Sequence, residues 1–600
     1  MDWSDIKQLM QKYLALVIAK KGQRQAYRNL AQSLRATQRM PLFRQTFYHF
    51  SAGNNFDWYQ KMVEPLSKMD SSQYRVDINI TLTDKERQIF DTLMELVTEQ
   101  ELKTTLRVAG GWVRDKIMGK ESVDIDIALD NMSGQEFAEK LDAKLHPGAH
   151  KKGYGVIGLN NQLSKHLETA TMPVHGMNTD ESRVPQITIG TPEQDAFRRD
   201  LTINALFYNI NKGKVEDYTK MGESDLMLKV VRTPLEPLQT FLDDPLRVLR
   251  TVRFATRFDF KMAPEIHGAA TDKRVIKALE EKVSYERIMK ELDLMFCGKF
   301  PANSIKYLYD FGVIQSILKI PPKCLELQNE EKVQSLIYES LKLSQVLGGL
   351  FLKIRSNADP LTGESAFAFR HFHGVGETVE NEKAVDEFKN FQCNTFYSSL
   401  LLPFHPFEYK KDNGKKFQVV EYILTESLKK PANSIKYVLG VHPYVEKAIQ
   451  FAQQLSQLHE PINEELKLQL GWYLREAGHR WDSVYLLAIA KEYFNTIFNV
   501  PGEAATSEFN VSESHLLQII EKYGRLNQVI NEEQLDKVHM MRPALDGNDV
   551  CLLYQIKAGK ALKFLLEEQL KFQITHPSAG FAEVSQFLTE NKDAFLVKYQ

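Results

Sequence analysis

Asp124 and Asp126 are the residues of this chain whose type and spacing most clearly indicate chemistry. They stand two positions apart in the segment VDIDIAL, where apolar residues alternate with them. Because successive side chains of a strand point to opposite faces, both carboxylates are expected on one face. Two adjacent negative charges repel each other unless a cation lies between them, and Mg²⁺ commonly binds one or two carboxylates together with substrate phosphates. The pair therefore predicts a magnesium site that acts on a phosphate-bearing substrate.

A glycine pair, Gly110-Gly111, lies upstream between a short strand pattern and a helix-like segment. Glycine lets a ligand come close to the backbone, and the N–H groups at a helix start attract phosphate oxygens. Arg114 lies one turn into the helix and is expected to point at the same anion. Either motif alone is more simply a turn or an exposed strand face, but their strand, turn, helix, strand order favours phosphate chemistry.

The run from Leu106 to Leu129, with GGWVRD followed by DID, resembles the signature of class II tRNA nucleotidyltransferases of the eukaryotic type, the CCA-adding enzymes of the polymerase-beta-like superfamily. The resemblance implies an α+β fold, in which a nucleotidyltransferase head with a small mixed sheet precedes a long all-α neck, body and tail. It also implies template-independent addition of CCA to tRNA 3′ ends from CTP and ATP, by two-metal transfer that releases pyrophosphate. The motifs cover roughly residues 106–292.

Glu168, in the segment LETAT, is the candidate for a third carboxylate. The family carries a glutamate in such a strand, and a carboxylate facing the aspartate pair would polarise the attacking hydroxyl or bind metal. The alternative is an exposed strand glutamate. Residues 175–183, which follow, are shorter than the family pattern by about ten residues. In the family a loop in this area is associated with the switch from C to A addition, and it is shortened in enzymes that add only CC.

The segment QDAFRRDLTINALFYNI, residues 194–210, has apolar residues at helical spacing and predicts an amphipathic helix. It matches the family's second motif. Adjacent arginines near a metal site hold triphosphate and ribose oxygens through charge-assisted hydrogen bonds. The resemblance implies a nucleotide-binding role for four of its residues: Arg198, Arg199, Asp200 and Asn204.

The segment FLDDPLRVLRTVRF, residues 241–254, is similar to the family's EDxxR motif, with Asp243 in place of the usual glutamate. Asp244 and Arg247 are the implied readers of the base. CTP and ATP both present an amino donor beside a ring-nitrogen acceptor, which a carboxylate and a guanidinium complement, whereas UTP and GTP reverse that order. Arg250 and Arg253 are further nucleotide-binding candidates, with an alternative role as anchors for acidic neighbours or RNA phosphates.

The 600 residues predict several domains, and a net charge of −2 means that any nucleic-acid surface must be local. The expected divisions are an N-terminal extension (1–82), a head (83–215), a helical neck that recognises the base (216–300) and a helical body and tail (301–600). The family's helical part holds the tRNA acceptor stem and T arm by shape and phosphate contacts. Candidate phosphate contacts are the lysine pairs Lys410-Lys411, Lys415-Lys416 and Lys429-Lys430.

Residues 6–56 contain nine Lys and Arg residues and no Asp or Glu, which resembles a mitochondrial transit peptide as much as a basic surface helix. The protein is therefore expected in mitochondria, in the cytoplasm or in both, with a nuclear pool as a further option. Four scattered cysteines argue against a disulfide scaffold, and no apolar run is long enough to span a bilayer. Three alternatives stay open: an enzyme that adds only CC, a related poly(A) polymerase, and a catalytically inactive RNA-binding relative.

Overall fold

The computed structural model describes residues 79–122, 124–147, 155–157, 169–171, 191–356, 382–411, 414–458, 460–498 and 513–597. The predicted N-terminal extension, apart from its last four residues, lies outside this described part, as do Glu168 and residues 175–183. The first elements, in chain order, are α1 (Asp84–Glu99), β1 (Leu106–Ala109), α2 (Gly111–Ile117), β2 (Ile127–Leu129), α3 (Gly134–Leu145), β3 (Gly155–Ile157), β4 (Thr169–Thr171), α4 (Pro192–Arg198), β5 (Leu206–Asn209) and β6 (Lys214–Asp217).

Four of these strands form an antiparallel sheet in the order β2-β1-β5-β6. In its register Val108 lies opposite Ile127 on β2 and opposite Tyr208 on β5. These side chains belong to a buried core that also contains apolar residues of α1, α2 and α3. Helix α1 begins after Thr83, and Thr83 and Glu86 form a reciprocal capping box. One face of the sheet is therefore committed to this core, and the opposite face carries polar residues beside a second, smaller apolar cluster.

The polar face is set by the same register. Arg107 lies opposite Ala128 on β2 and Asn209 on β5, so all three side chains project from the face that carries Asp126. The Nε of Arg107 donates to Oε2 of Glu216 over 2.7 Å, which forms a partly buried ion pair on this face. Four small or aromatic residues, Ala109, Ala196, Ala205 and Phe207, form a second small core beneath α4.

The helix predicted over residues 194–210 is wrong beyond its first turns. Helix α4 ends at Arg198, Arg199 is extended (φ −71°, ψ 164°), and a 3₁₀ turn at Thr202–Asn204 leads into β5. Residues 206–209 instead form a central strand, because pairing with both β1 and β6 outweighs a local helical pattern. The correction places the paired arginines at a helix end rather than within a helix.

The short strands β3 and β4 pair with each other in an antiparallel arrangement. The following elements are α5 (Gly222–Leu228), β7 (Val230–Val231), α6 (Pro237–Asp243), α7 (Leu246–Phe258), β8 (Lys261–Met262), α8 (Pro264–Ala270), α9 (Lys273–Lys282) and α10 (Tyr285–Phe296). The expected mixed sheet is antiparallel in its four-stranded part, and the parallel pairing is that of β7 with β8.

The remaining described residues are mostly helical, as expected. A hairpin of β9 and β10 interrupts the region that was predicted to be all-α. The sequence did not reveal this hairpin, because strands of three residues are too short to show an alternating pattern. No helix among the described residues has the length and apolar character needed to cross a bilayer. The elements are α11 (Pro301–Asp310), α12 (Val313–Ile317), α13 (Glu330–Ser356), α14 (Glu382–Leu401), β9 (Glu408–Lys410), β10 (Lys416–Gln418), α15 (Val419–Tyr422), α16 (Ala432–Leu439), α17 (Val445–Ser456), α18 (Glu464–Ala477), α19 (Trp481–Phe498), α20 (Glu513–Glu532), α21 (Gly547–Tyr554), α22 (Lys560–Thr575), α23 (Phe581–Glu590) and α24 (Lys592–Val597).

Candidate active site

The two aspartates lie at the entrance to β2 and project from its polar face. Ile125 and Ile127 are 6% and 4% exposed, whereas Asp124 and Asp126 are exposed. The backbone carbonyl of Asp126 accepts a 2.8 Å hydrogen bond from the N–H of Ala109, which extends the pairing of β1 and β2 beyond the strand. The backbone of Asp126 is thus fixed by the sheet, while its carboxylate stays open to ligands.

The electrostatic surroundings of Asp126 favour a positive partner. Packing of protein atoms around the carboxyl raises its pKa, and the charge of Asp124 adds to this rise, while Arg199 opposes it. Because the side chain remains accessible to solvent, the density of protein beside it, rather than enclosure, causes the desolvation. Both factors penalise the ionised carboxylate until a cation neutralises the pair.

The donor set fits a hard divalent cation that completes its shell with water and substrate. Among the described residues no group of three or more His, Cys, Asp or Glu is arranged to hold a metal. The aspartate pair would offer two carboxylate ligands. Mg²⁺ typically keeps several waters and uses one or two carboxylates plus substrate phosphates. The third candidate, Glu168, lies outside the described residues, and its role stays a prediction.

Gly110 and Gly111 differ in what the fold requires of them. Gly110 has φ +75° and ψ −117°, a backbone conformation that residues other than glycine rarely adopt. A Cβ at Gly110 would lie 2.7 Å from Nη1 of Arg199, whereas a Cβ at Gly111 would meet only Nη2 of Arg114 at 3.6 Å. The fold therefore needs glycine at position 110, but nothing within the described protein excludes alanine at position 111.

Gly110→Ala is expected to lower the free energy of unfolding by about 1–3 kcal/mol, since the backbone is strained for any other residue and the added Cβ collides with a guanidinium. Gly111→Ala, at the first position of α2, is expected to change it by less than about 1 kcal/mol, because alanine suits a helix. Urea unfolding of the two variants beside the wild type measures the difference. Equal destabilisation of both would contradict the distinction drawn between these glycines.

Arg114 is buried in a polar network rather than exposed toward the aspartates. It forms an ion pair with Asp115 (2.8 Å), donates to Oδ1 of Asn204, and its Cζ lies 5.1 and 4.7 Å from the ring centroids of Phe254 and Phe258. It is 4% exposed. Its nucleotide-binding role stays a prediction, and its contacts show that it joins α2 to α7.

Asn204 and Asp200 continue this network toward α7. The Nδ2 of Asn204 donates to Oδ1 of Asp200 over 3.1 Å, and Nε of Arg250 donates to Oδ2 of Asp200 over 2.7 Å. Burial by itself would raise the pKa of Asp200, but the charge of Arg250 and these hydrogen bonds lower it overall. The charge of Asp200 in turn raises the pKa of Arg250. The two groups therefore form a partly buried ionic link between the sheet region and α7.

Arg198 and Arg199 diverge from one anchor, Asp195, an acid on α4 that the sequence motifs do not single out. Their Nη2 atoms lie 2.5 and 2.9 Å from its two oxygens. Nη1 of Arg199 also donates to the backbone carbonyl of Asn204, and its guanidinium lies 5.2 Å from the centroid of Phe207. Spacing along α4 is the signal that would have found Asp195, because residues three and four apart share a helix face.

Asp244 and Arg247, the predicted base readers, lie at the junction of α6 and α7. Asp244 ends α6, and its Oδ2 accepts from Nη2 of Arg287 over 2.9 Å. Nη2 of Arg247 donates to the backbone carbonyl of Arg198 over 2.7 Å. Both side chains remain partly exposed. The contact of Arg247 brings this junction to the same region as Arg199 and Asp126, although the three segments are far apart in sequence.

Arg253 is directed away from that junction. Its Nε donates to Oε2 of Glu291 on α10 over 2.6 Å, and the side chain is buried. Arg250 also lies 3.8 Å from Glu291. These contacts match the alternative role of anchoring acidic neighbours, and nucleotide binding by the two arginines stays a prediction. Spacing along α10 would pair Arg287 with Glu291, four positions apart, but Arg287 binds Asp244 and Glu291 binds Arg253 instead.

Comparison with known proteins gives one family-model match and several relatives. The model described as the poly A polymerase head domain matches residues 106–232. The mitochondrial CCA tRNA nucleotidyltransferase of Saccharomyces cerevisiae is 31% identical over 560 residues, covering 87% of this chain and 94% of the yeast protein. The fold is similar to that of a Thermotoga maritima CCA-adding enzyme complexed with tRNA (TM-score 0.52, 18% identity, 89% and 99% of the two chains) and to that of a CCA-adding enzyme with ATP (0.51, 19%, 85% and 95%).

Proposed function

Since the chain belongs to the family of CCA tRNA nucleotidyltransferases, we propose that it adds CCA to tRNA 3′ ends from CTP and ATP. The proposal rests mainly on the proximity of three segments: the entrance to β2, the end of α4 and the start of α7. The charge of Arg199 lowers the pKa of Asp126, and Arg247 donates a hydrogen bond to the backbone carbonyl of Arg198. Carboxylates for a metal, arginines for phosphates and an Asp–Arg pair for a base are thereby neighbours.

In this proposal Asp124 and Asp126 hold Mg²⁺. The bound cations, when present, lower the pKa of the terminal 3′-hydroxyl and neutralise the pyrophosphate that leaves. Arg198 and Arg199 bind triphosphate and ribose oxygens, and the position of Arg199 near Asp126 is suited to this role. We assign these contacts to guanidinium groups rather than to the start of α2, which is only seven residues long. Gly111 leaves room for the substrate close to the backbone.

Asp244 and Arg247 select the base by hydrogen-bond order. A carboxylate accepts from the amino group of cytosine or adenine, while the neighbouring guanidinium donates to the adjacent ring nitrogen. With uracil or guanine the carboxylate would face a carbonyl oxygen and the guanidinium a ring N–H, so polar groups would be left unpaired. The protein surface thus replaces a nucleic-acid template. Arg250, Arg253 and Arg114 position this surface through their ionic contacts.

The tRNA is the proposed partner, as in the Thermotoga maritima complex. The hairpin of β9 and β10 is the strongest candidate contact outside the active site, because Lys410 and Lys416 are exposed and directly opposed. Like charges in that position destabilise a hairpin unless an anion neutralises them, and Glu408, 3.0 Å from Lys416, offsets only part of this charge. Lys430, by contrast, is buried and bonded to Asp293 over 2.6 Å, which removes it from the candidate phosphate contacts.

Replacing the four hairpin lysines 410, 411, 415 and 416 by glutamine is expected to lower the affinity for tRNA and to make that affinity less dependent on salt concentration. For every phosphate that these lysines neutralise, the slope of log K against log[salt] should fall by roughly 0.9, if duplex RNA is treated like duplex DNA. Filter binding over a range of salt concentrations measures both quantities. Lys277→Gln, at an exposed lysine of α9, is the control. An unchanged slope would remove the hairpin from the tRNA surface.

Mitochondrial supply is proposed from the basic N-terminal segment and from the mitochondrial name of the yeast relative. A cytoplasmic or nuclear pool is a further proposal that rests on the family resemblance. The divisions at residues 82, 215 and 300 are likewise proposals.

The decisive experiment supplies tRNA ending at the discriminator base, with CTP and ATP singly and together. Addition of CCA supports the proposal, and a product that ends at CC supports the enzyme that adds only CC, which the short segment 175–183 favours. Long A tails would indicate a poly(A) polymerase. Binding without incorporation would indicate the inactive RNA-binding relative.

A further inference from the structure

Asp244 is held by a residue for which neither the sequence motifs nor the proposed reaction gives a role. Its Oδ2 accepts from Nη2 of Arg287 over 2.9 Å, and its Oδ1 accepts from the backbone N–H of Leu246 over 3.2 Å. Arg287 lies on α10, 43 positions along the chain. The two oxygens thus have different partners, and these two contacts fix the plane of the carboxylate.

The partners of Arg247 come from other elements. Its Nη2 donates to the carbonyl of Arg198 over 2.7 Å, and its Nη1 donates to the carbonyl of Thr240 over 3.5 Å. The proposed acceptor and the proposed donor are therefore positioned separately, the first by α10 and the second by the end of α4 and by α6. Their relative placement depends on how these elements pack.

The helix that carries Arg287 is itself fixed. Ile288 and Leu292 are 2% and 1% exposed, and Glu291, one turn from Arg287, accepts the buried contact from Arg253. Arg287 therefore projects from an immobilised surface rather than from a loop. A fork of N–H donors on such a surface orients a carboxylate more strictly than a single ammonium would.

The ion pair is too exposed to be explained by stability alone. The side chains of Arg287 and Asp244 are 35% and 22% exposed, and ion pairs that water reaches contribute little to folding. Orientation is a different matter. The terminal torsion of an aspartate is broad and roughly two-fold, so a carboxylate without a fixed partner would present its acceptors over a wide range of directions.

We propose that Arg287 is a positioning residue for base selection, which orients Asp244 so that its free acceptor direction meets the amino group of cytosine or adenine. The inference rests on the proposed base-reading role of Asp244 and adds the element that makes this reading selective. Arg287 touches neither the nucleotide nor the reacting atoms.

The test compares Arg287→Met and Arg287→Gln with Arg287→Lys by single-nucleotide incorporation into tRNA, giving kcat/KM for CTP, ATP, UTP and GTP. The neutral variants are expected to lower the ratio of CTP to UTP roughly 10- to 100-fold, since a misplacement of about 1 Å in a positioned group has effects of that order. Arg287→Lys should recover part of the ratio. Each variant is measured below its own midpoint of thermal unfolding.

Arg274→Met is the matched control, because it removes an arginine–aspartate pair of similar length, 2.7 Å to Asp272, on the exposed surface of α9. Its ratio should equal that of the wild type. The double variant Asp244→Ala with Arg287→Met should have the ratio of Asp244→Ala alone, since Arg287 is proposed to act only through Asp244.

Several results would overturn the inference. An unchanged ratio in both neutral variants, an equal fall in kcat/KM for all four nucleotides, or a further fall of the ratio in the double variant would each exclude a positioning role. If Asp244→Ala loses selectivity and Arg287→Met keeps it, the base-reading proposal stands and this inference fails. If Asp244→Ala itself keeps the wild-type ratio, the base-reading proposal is the one that fails.

Discussion

Asp126→Asn is expected to lower nucleotide incorporation by about 10³-fold, because bound cations supply several kcal/mol of transition-state charge stabilisation and each 1.36 kcal/mol is a factor of about ten. The amide is a weaker metal ligand than the carboxylate and carries no charge. Asp124→Asn should show a loss of the same order, since its carboxylate shares the face of Asp126. Pyrophosphate release with tRNA, CTP and Mg²⁺ measures the effect, and titration with Mg²⁺ shows whether a higher concentration restores part of the rate.

Asp126→Asn should not be less stable than the wild type. Protein atoms packed beside the carboxyl and the charge of Asp124 raise the pKa of Asp126, so ionisation of this carboxyl opposes folding, and a neutral residue removes that penalty. Thermal unfolding in EDTA should give midpoints equal to or above that of the wild type. Asp91→Asn, at an exposed aspartate of α1, is the control for loss of one negative charge. Retention of a tenth of the wild-type rate in Asp126→Asn would exclude the metal-binding assignment.

Asp244→Ala and Arg247→Ala are each expected to reduce the preference for CTP over UTP by about 10²- to 10⁴-fold. Sites built to hydrogen-bond a substrate reject mismatched analogues by factors of that size, and the preference is lost when one partner is removed. The loss should come mainly from poorer use of CTP and ATP, because the remaining member of the pair still faces a mismatched edge in UTP and GTP. Single-nucleotide incorporation with each triphosphate gives the four values of kcat/KM.

Arg257→Ala is the matched control for Arg247→Ala, because both arginines belong to α7 and the side chain of Arg257 is 52% exposed. Burial and the nearby charge of Arg114 lower the pKa of Arg257, so its removal relieves repulsion and should leave nucleotide preference unchanged. If Asp244→Ala and Arg247→Ala each kept the wild-type ratio of kcat/KM for CTP to that for UTP, the base would be read elsewhere.

The arrangement of the aspartates could be predicted because it is local. Two residues apart on a strand means the same face, whatever the strand pairs with, and the buried Ile125 and Ile127 confirm the alternation. The capping box of Thr83 was predictable for the same reason, since it lies within one helical turn. The backbone conformation of residues 199–209 could not be predicted, because pairing of β5 with strands from elsewhere in the chain overrides a helical pattern.

The sequence by itself determined the residue types of the site and the face of the carboxylates, both of which depend on neighbours a few positions away. Only the tertiary structure decided the partners: Arg114 with Asn204, Arg250 with Asp200, and Arg287 with Asp244. A guanidinium pairs with whichever acceptor the packing of distant elements brings within hydrogen-bonding distance, and spacing along the chain carries no information about that packing.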